Sequence, residues 1–349
     1  MNDGLNDGLN DGLNDGMNDG MNDGMNDGMN DGMNDEMNDG LKYDLTVIGG
    51  GPSGMAAAIQ AHRLGVSVVL IEPDELGGQL RSANLVENYP GFPGGIPGRE
   101  LADLMARQVH GLGVDVESLT VSSVQPEKEG FELVCHDGDG TVALTSRSVI
   151  VTTGAAPCRW DVDIPDDVRD LVHVDAWDPE MFRDRDVVVI GGGEAALDRA
   201  LYLNRHGARV RVISRSRVRA MKLLKDRVRE CYIPMETGCL VEDVSRTDGR
   251  LQIRTADGRR FEADHVMVCI GKEPRVTILP ADVRDDLLST SPDDGFMVGT
   301  LFTRTRYPGL LLAGDLVSGD FRHVGCAVGG GLAASLVAVG HINNGSEKK

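Results

Sequence analysis

One short motif is written twice, and that repetition constrains the fold more than any other feature of the sequence. Val47-Ile48-Gly49-Gly50-Gly51-Pro52-Ser53-Gly54 is matched further on by Val189-Ile190-Gly191-Gly192-Gly193-Glu194-Ala195-Ala196. Each copy closes an apolar, β-branched run and opens a helical pattern, the context in which G-x-G-x-x-G/A signals a dinucleotide. The first glycine (Gly49, Gly191) makes the tight turn, and the second (Gly51, Gly193) lets backbone approach a pyrophosphate. The third position (Gly54, Ala196) keeps helix and strand close. Pro52 and Ser53, like Glu194 and Ala195, fall in a first helical turn, where free N–H groups and the helix dipole face the phosphates. One copy would say little. Two predict an α/β chain that binds two dinucleotides and passes electrons between them.

The residue that closes each second strand separates the two sites. Val66–Ile71 ends at Glu72, 23 residues beyond Gly49, where a carboxylate accepts hydrogen bonds from ribose hydroxyls. Ala208–Ile213 ends at Ser214, again 23 residues beyond its first glycine, and Arg215, Arg217 and Arg219 follow. A carboxylate repels a 2′-phosphate, whereas guanidinium groups bind it through charge-assisted hydrogen bonds. The first site is therefore read as one for FAD or NAD, and the second as one for NADPH. The competing reading makes these arginines a solvated helix face.

The pattern from Tyr43 predicts strand, helix (Ser53–Leu64), strand, a Gly/Pro-rich loop to Pro97, and a helix over Gly98–Gly111. Short alternating runs at Val114–Val124, Gly130–His136 and Thr141–Ser146 read as a small antiparallel layer. A buried strand, Val149–Gly154, then returns to the main sheet. The second unit repeats this plan from Asp186, with helices Glu194–Arg205 and Arg217–Glu230. Its meander covers Cys239–Val244, Leu251–Thr255 and Arg260–Ala263, and a strand at Val266–Gly271 closes it. Leu310–Asp315 reads as a short strand ending in an acid, and Arg322–Ile342 as a terminal helix. One dinucleotide unit is thus discontinuous, with the other inserted into it.

Composition removes several classes of function. Of the 349 residues, the first forty are ten Met/Leu-Asn-Asp-Gly tetrads, with Glu36 replacing one glycine. Such a tract reads as disordered. With its 11 acids set aside, 44 acidic residues face 35 basic ones, which argues against a nucleic-acid partner. An acidic surface in which arginine outnumbers lysine fits work in concentrated salt, although GC-rich coding produces the same bias. No signal-peptide pattern opens the chain. The longest apolar stretch, Val328–Gly340, is short and glycine-rich for a membrane span. The six cysteines show no C-x-x-C and no metal-ligand spacing. A soluble, cytoplasmic protein with reduced thiols is the expectation.

Taken together, these residues resemble the thioredoxin reductase family, the low-molecular-weight class of pyridine-nucleotide–disulfide oxidoreductases. Besides both glycine motifs, the likeness includes Gly77-Gly78-Gln79-Leu80, Glu87-Asn88-Tyr89-Pro90-Gly91-Phe92-Pro93, Thr153-Gly154 and Ala313-Gly314-Asp315. It covers nearly everything from Tyr43 to His341. The resemblance implies two Rossmann-like domains of three-layer ββα form, with the NADPH domain inserted into a discontinuous FAD domain. It places FAD over residues 41–157 and 275–343, NAD(P)H over 158–274, and a homodimer as the assembly. Gly49, Gly51 and Gly54 would cradle the FAD pyrophosphate and Glu72 the adenosine ribose. Gly78, Gln79, Asn88 and Gly154 would lie on the flavin side, and Gly314-Asp315 would meet the ribitol chain. Arg322-His323-Val324 would face the isoalloxazine at a helix start, where the dipole stabilises negative charge.

Two departures accompany the resemblance. The family's redox-active C-x-x-C falls on Val174 and Trp177, and neither residue exchanges disulfides. The family's H-R-R-x-x-x-R-A run stands here as Ser214-Arg215-Ser216-Arg217-Val218-Arg219-Ala220, which favours NADPH and leaves NADH open. What survives is hydride transfer from NADPH to flavin, with a small-molecule or protein electron acceptor beyond it. Ferredoxin–NADP reductases of the thioredoxin-reductase type share the fold without the cysteine pair. The aromatic C-terminal extension usual in those relatives is not seen here. A flavin redox sensor or scaffold is the non-enzymatic alternative. Cys326, one turn into the terminal helix, is the one cysteine placed to act at the flavin edge; as a bland alternative it fills a helix–sheet contact.

Overall fold

Strands and helices alternate in space where the sequence alternates β-branched runs with glycine turns. The computed structural model describes residues 41–138, 140–174, 178–289 and 301–346. The tetrad tract and Trp177 lie outside the described residues. The chain opens with β1 (Leu41–Ile48), α1 (Pro52–Arg63), β2 (Val68–Ile71) and α2 (Gly98–Gly111). β3 (Asp115–Glu117), β4 (Thr120–Glu127), β5 (Gly130–Asp137) and β6 (Gly140–Val151) follow. β7 (Ala155–Pro157) then leads to β8 (Val172–His173), β9 (Asp186–Ile190), α3 (Glu194–Arg205), β10 (Arg209–Ser214), α4 (Lys222–Glu230) and β11 (Met235–Thr237). A meander of β12 (Val241–Thr247), β13 (Arg250–Thr255) and β14 (Arg260–Ala263) precedes β15 (His265–Val268) and β16 (Lys272–Pro274). α5 (Ala281–Ser289), β17 (Phe302–Arg304), β18 (Leu310–Ala313) and α6 (Val324–Ser346) complete the described chain.

The first sheet runs β17-β18-β6-β1-β2-β3, and β4 and β5 continue from β6 as an antiparallel layer. β1 lies parallel between β2 and β6, with Val47 opposite both Leu70 and Ile150. Every residue of β2 and β18 is buried, as expected of a parallel strand covered on both faces. α1, α2 and α6 cover one face through Met55, Val109 and Ala334. The β4–β6 layer and α5 cover the other through Leu133, Leu144 and Val283. Fully buried side chains such as Leu45, Leu70 and Ile150 each stabilise by about 1.5–3 kcal/mol.

The second sheet repeats the plan as β11-β10-β9-β15-β8, all parallel. α3 and α4 pack on one side through Leu197, Leu203 and Val228. The β12–β14 meander packs on the other through Val244, Leu251 and Ile253. The chain crosses between the sheets twice, and the two crossings pair as an antiparallel ribbon, β7 with β16. The α/β, three-layer architecture read from the sequence is the architecture observed.

Local differences have physical causes. The runs Thr141–Ser146 and Val149–Gly154 are one strand, β6, antiparallel to β5 along one half and parallel to β1 and β18 along the other. The basic helix begins at Lys222, not Arg217, because the N–H groups of Arg219 and Ala220 donate to Gly192 O at 2.7 and 3.2 Å. That tie holds the arginine segment in a loop. α6 begins at Val324, which leaves Arg322 and His323 in the turn before it. α5 and β17 were not foreseen.

α6 also outruns the apolar stretch read from the sequence. It is the one helix among the described residues long and apolar enough to cross a membrane, over Val324–Gly345, and 44% of an 18-residue apolar portion of it is buried in the fold. Its glycines serve packing on α1: a Cβ at Gly331 would stand 1.9 Å from Ser53 O.

Candidate nucleotide-binding sites

The first glycine turn joins β1 to α1. A Cβ at Gly54 would lie 1.8 Å from Gly49 O and 2.7 Å from Thr152 Oγ1, so only glycine lets the helix start this close to the strand end. Gly49 (φ +103°) turns the chain, and a Cβ at Gly51 would meet no atom within 4 Å. The backbone there faces open space, with Pro52 preset at the first helical position. Ser53 Oγ is buried without a hydrogen-bond partner, and buried hydroxyls rarely lack one. Glu72 Oε2 accepts the Gly50 N–H at 2.7 Å. A carboxylate retains further lone pairs for ribose hydroxyls. The open backbone, the orphan hydroxyl and the adjacent acceptor fit a dinucleotide.

The second turn joins β9 to α3 in the same way. Gly191 would bring a Cβ within 2.2 Å of Cys269 O, while Gly193 faces open space. Glu194 and Ala195 are exposed at the helix start, and Ala196 is buried beneath it. Ser214 is 3% exposed at the end of β10. Arg215, Arg217 and Arg219 are all exposed just past it, and no acid engages their guanidinium groups among the described residues. An uncommitted cluster of cations beside a helix N-terminus can hold a phosphate monoester.

Where β16 meets the start of α6 lies a junction that spacing alone did not foretell. Asp315, in the turn after β18, is half-buried. Burial pushes its carboxyl up, and Arg322, Lys272 and His323 pull it back down. Lys272 Nζ donates to Gln79 Oε1, and Gln79 Nε2 donates to Ala155 O. Arg322 Nη2 donates to Lys272 O at 3.2 Å, while its buried Nε has no partner. Asn88 Nδ2 lies 3.3 Å from His323 Nδ1. A Cβ at Gly154 (φ +69°) would lie 3.8 Å from Gln79 Nε2, and Val324 packs beside Leu80 and Val86.

The structure therefore brings Gln79, Asn88, Gly154, Asp315, Arg322, His323 and Val324 around one junction, near Gly78 and the first turn. Lys272 was missed by sequence reasoning; it lies 193 residues from its partner Gln79, and no local pattern announces it. Two further ties across the junction were also missed. Arg227 on α4 pairs with Glu87, and the Asn84 N–H donates to Asp198 Oδ2 on α3 at 3.2 Å. Cys326 is half-buried in the first turn of α6, and all six cysteines are free. Cys158 lies in the crossing ribbon, where its N–H donates to Gly271 O at 3.0 Å. Burial raises the Cys135 thiol to about 11, as befits an inert core residue. Among the described residues no group of three or more His, Cys, Asp or Glu could hold a metal ion.

Two glycine turns, each opening a three-layer unit, define a two-dinucleotide oxidoreductase. The chain belongs to the pyridine nucleotide-disulphide oxidoreductase family, whose model matches residues 43–331. It is 34% identical to the thioredoxin reductase of Mycolicibacterium smegmatis over 306 residues, covering 85% of this chain and 95% of that one. The Chlamydia trachomatis thioredoxin reductase is 31% identical, covering 86% and 98%. A match to the bifunctional thioredoxin reductase/thioredoxin of Mycobacterium leprae spans 65% of that longer protein. Among solved structures, Lactococcus lactis thioredoxin reductase in its FR conformation aligns with TM-score 0.75 at 26% identity, covering 86% and 99%. The T. acidophilum thioredoxin reductase gives 0.74 at 25% identity, covering 86% and 98%. The chain is an FAD-dependent enzyme that uses NADPH.

Proposed function

We propose that reducing equivalents pass from NADPH to the flavin and leave it for an acceptor directly, without a C-x-x-C relay. One observation carries this reading: both dinucleotide turns are complete in a chain whose six cysteines include no pair three residues apart. Val174, aligned by resemblance with the first relay position, is exposed and carries no sulfur.

In this reading residues 41–157 and 275–343 form the FAD domain and 158–274 the NAD(P)H domain. Gly49, Gly51, Ser53 and Gly54 hold the FAD pyrophosphate, Glu72 the adenosine ribose and Asp315 the ribitol. Bound FAD supplies the two-electron carrier between nicotinamide and acceptor. Gln79 and Lys272 fix the junction, and the start of α6 offers N–H groups and positive charge to the flavin edge. Gly191, Gly193 and the first turn of α3 hold the NADPH pyrophosphate, and Arg215, Arg217 and Arg219 its 2′-phosphate. Leu332 and Leu336, one turn apart and exposed on α6, supply apolar surface for a homodimer. The protein works in the cytoplasm, on a small-molecule or protein acceptor.

The test is anaerobic addition of NADPH to the purified yellow protein, followed by separate offers of a quinone and of thioredoxin disulfide. Rapid bleaching, reoxidation by the quinone and an inert thioredoxin are expected. Catalytic reduction of thioredoxin would overturn the reading, and a flavin that NADPH cannot bleach would favour a sensor.

A further inference from the structure

Reducing a two-electron acceptor with NADPH consumes one proton per turnover: the acceptor gains a hydride equivalent and a proton, and NADPH becomes NADP+. A relay of thiols would carry that proton; in a chain without one it comes from solvent or from another side chain at the junction. The junction at the start of α6 gathers Asp315 after β18, Lys272 on β16, and Arg322 and His323 before α6, and the free thiol of Cys326 lies half-buried in the first turn of α6. Glu87, on the loop that carries Asn88, has its carboxylate taken by Arg227. Arg322 and Lys272 are cationic side chains, and beside them burial pushes the Asp315 carboxyl up. Of these side chains the imidazole is the type that ordinarily exchanges a proton near neutrality.

We infer that His323 is the proton donor to the acceptor, with Asn88 as its positioning residue. This rests on the direct-transfer reading above. Asn88 lies 3.3 Å from Nδ1, and Nε2 has no protein partner among the described residues. Nε2 is therefore the atom free to donate. With its amide turned over, Asn88 presents its oxygen to the Nδ1–H, which is carried both by the charged ring and by the neutral ring left after the Nε2–H is given up, so it holds the ring in both states. For a quinone, one carbonyl oxygen receives the hydride and the other forms its O–H bond as the Nε2–H bond of His323 breaks. The neutral ring then takes a proton from solvent.

The experiment uses holoenzyme whose flavin is reduced by light, mixed with menadione between about pH 5 and 9. For the unaltered chain the reoxidation rate should fall through one ionisation as pH rises. His323→Gln keeps a hydrogen bond to Asn88 but cannot donate as an acid, so it should lose that ionisation and about 100-fold in rate at low pH. The absorption of the oxidised flavin, titrated without any acceptor, should show the same ionisation in the unaltered chain and none in His323→Gln. Asn88→Ala should displace the ionisation without abolishing it. A His323→Gln protein that keeps the pH profile and the spectral step would overturn the assignment. Light reduction bypasses NADPH, so failure of NADPH bleaching in the unaltered chain sinks the broader reading separately.

Discussion

Glu72 and Ser214 occupy the same place relative to their glycine turns and make those turns chemically different. A Cβ at Gly50 would lie 2.9 Å from Glu72 Cβ, and one at Gly192 would lie 2.5 Å from Ser214 Oγ. Glu72 turns a carboxylate onto its turn, whereas Ser214 leaves the space beyond to three arginines. Ser214→Asp should therefore lower kcat/KM for NADPH by about 10–100-fold, the value of one lost charged hydrogen bond and one repulsion. NADH turnover should change far less. Steady-state kinetics with both nucleotides would show it, and an equal loss for both would contradict the assignment.

Arg215 and Arg219 are exposed in a loop fastened to Gly192, with no acid to satisfy. Alanine at both should raise KM for NADPH about tenfold or more while leaving the melting temperature within a degree or two. Calorimetry and kinetics on the double variant together separate phosphate binding from stability. A large fall in melting temperature would assign these arginines to the fold instead.

Gly54 is fixed by contact with backbone, not with a side chain that could move aside. Gly54→Ala would push its methyl into Gly49 O at 1.8 Å. Overpacking of this kind costs about 1–3 kcal/mol, and here it also displaces the turn proposed to hold the pyrophosphate. The variant should purify with much of its flavin lost, measured as the ratio of visible to ultraviolet absorbance. Full retention of flavin would show that the turn tolerates the shift.

Both glycine turns, the helices behind them and the strand ends at Glu72 and Ser214 were legible because each is decided within a few residues. The start of α4 was not, because it depends on Arg219 and Ala220 donating to Gly192, a carbonyl in another segment. β6 was split in two because its burial changes from alternating to continuous as its neighbour changes from β5 to β1. The environment of Asp315 was hidden for a similar reason. Its cations come from β16 and the turn before α6, and only the β7–β16 crossing brings Lys272 there. The resemblance supplied Gln79, Asn88 and His323 as positions, but not the bonds among Gln79, Lys272 and Ala155.

His173 and His265 meet across β8 and β15, with Nε2 and Nδ1 3.1 Å apart and Phe182 edge-on to both rings. Burial, and after it the neighbouring His265, bring His173 down to about 4 against the opposing pull of Asp170; burial also lowers His265. The folded state thus prefers neutral rings. Stability from this pair is fully present above the unfolded histidine pKa of about 6.5 and is lost as pH falls toward 4. The melting temperature should drop between pH 7 and pH 5, and His173→Asn should flatten that slope. An unchanged slope would place the acid sensitivity elsewhere.

Arg227 and Glu87 join α4 to the loop carrying Asn88 through two hydrogen bonds, one of them Nη2 to Oε1 at 2.8 Å. That hydrogen bonding holds the Glu87 carboxyl below its ordinary range. The side chains are 35% and 38% exposed, so solvent screens the pair and its contribution to stability should be about 1 kcal/mol or less. A double-mutant cycle of Glu87→Gln and Arg227→Gln, read by denaturant melts, should return a coupling of that size. At about 1 M salt the screening length falls to about 3 Å, and the coupling should shrink. The acidic surface makes the opposite prediction for the whole protein, because relief of like-charge repulsion should raise its melting temperature in the same salt. A coupling that grows with salt would show that the pair is desolvated, and salt-indifferent melting would remove the case for an adaptation to concentrated salt.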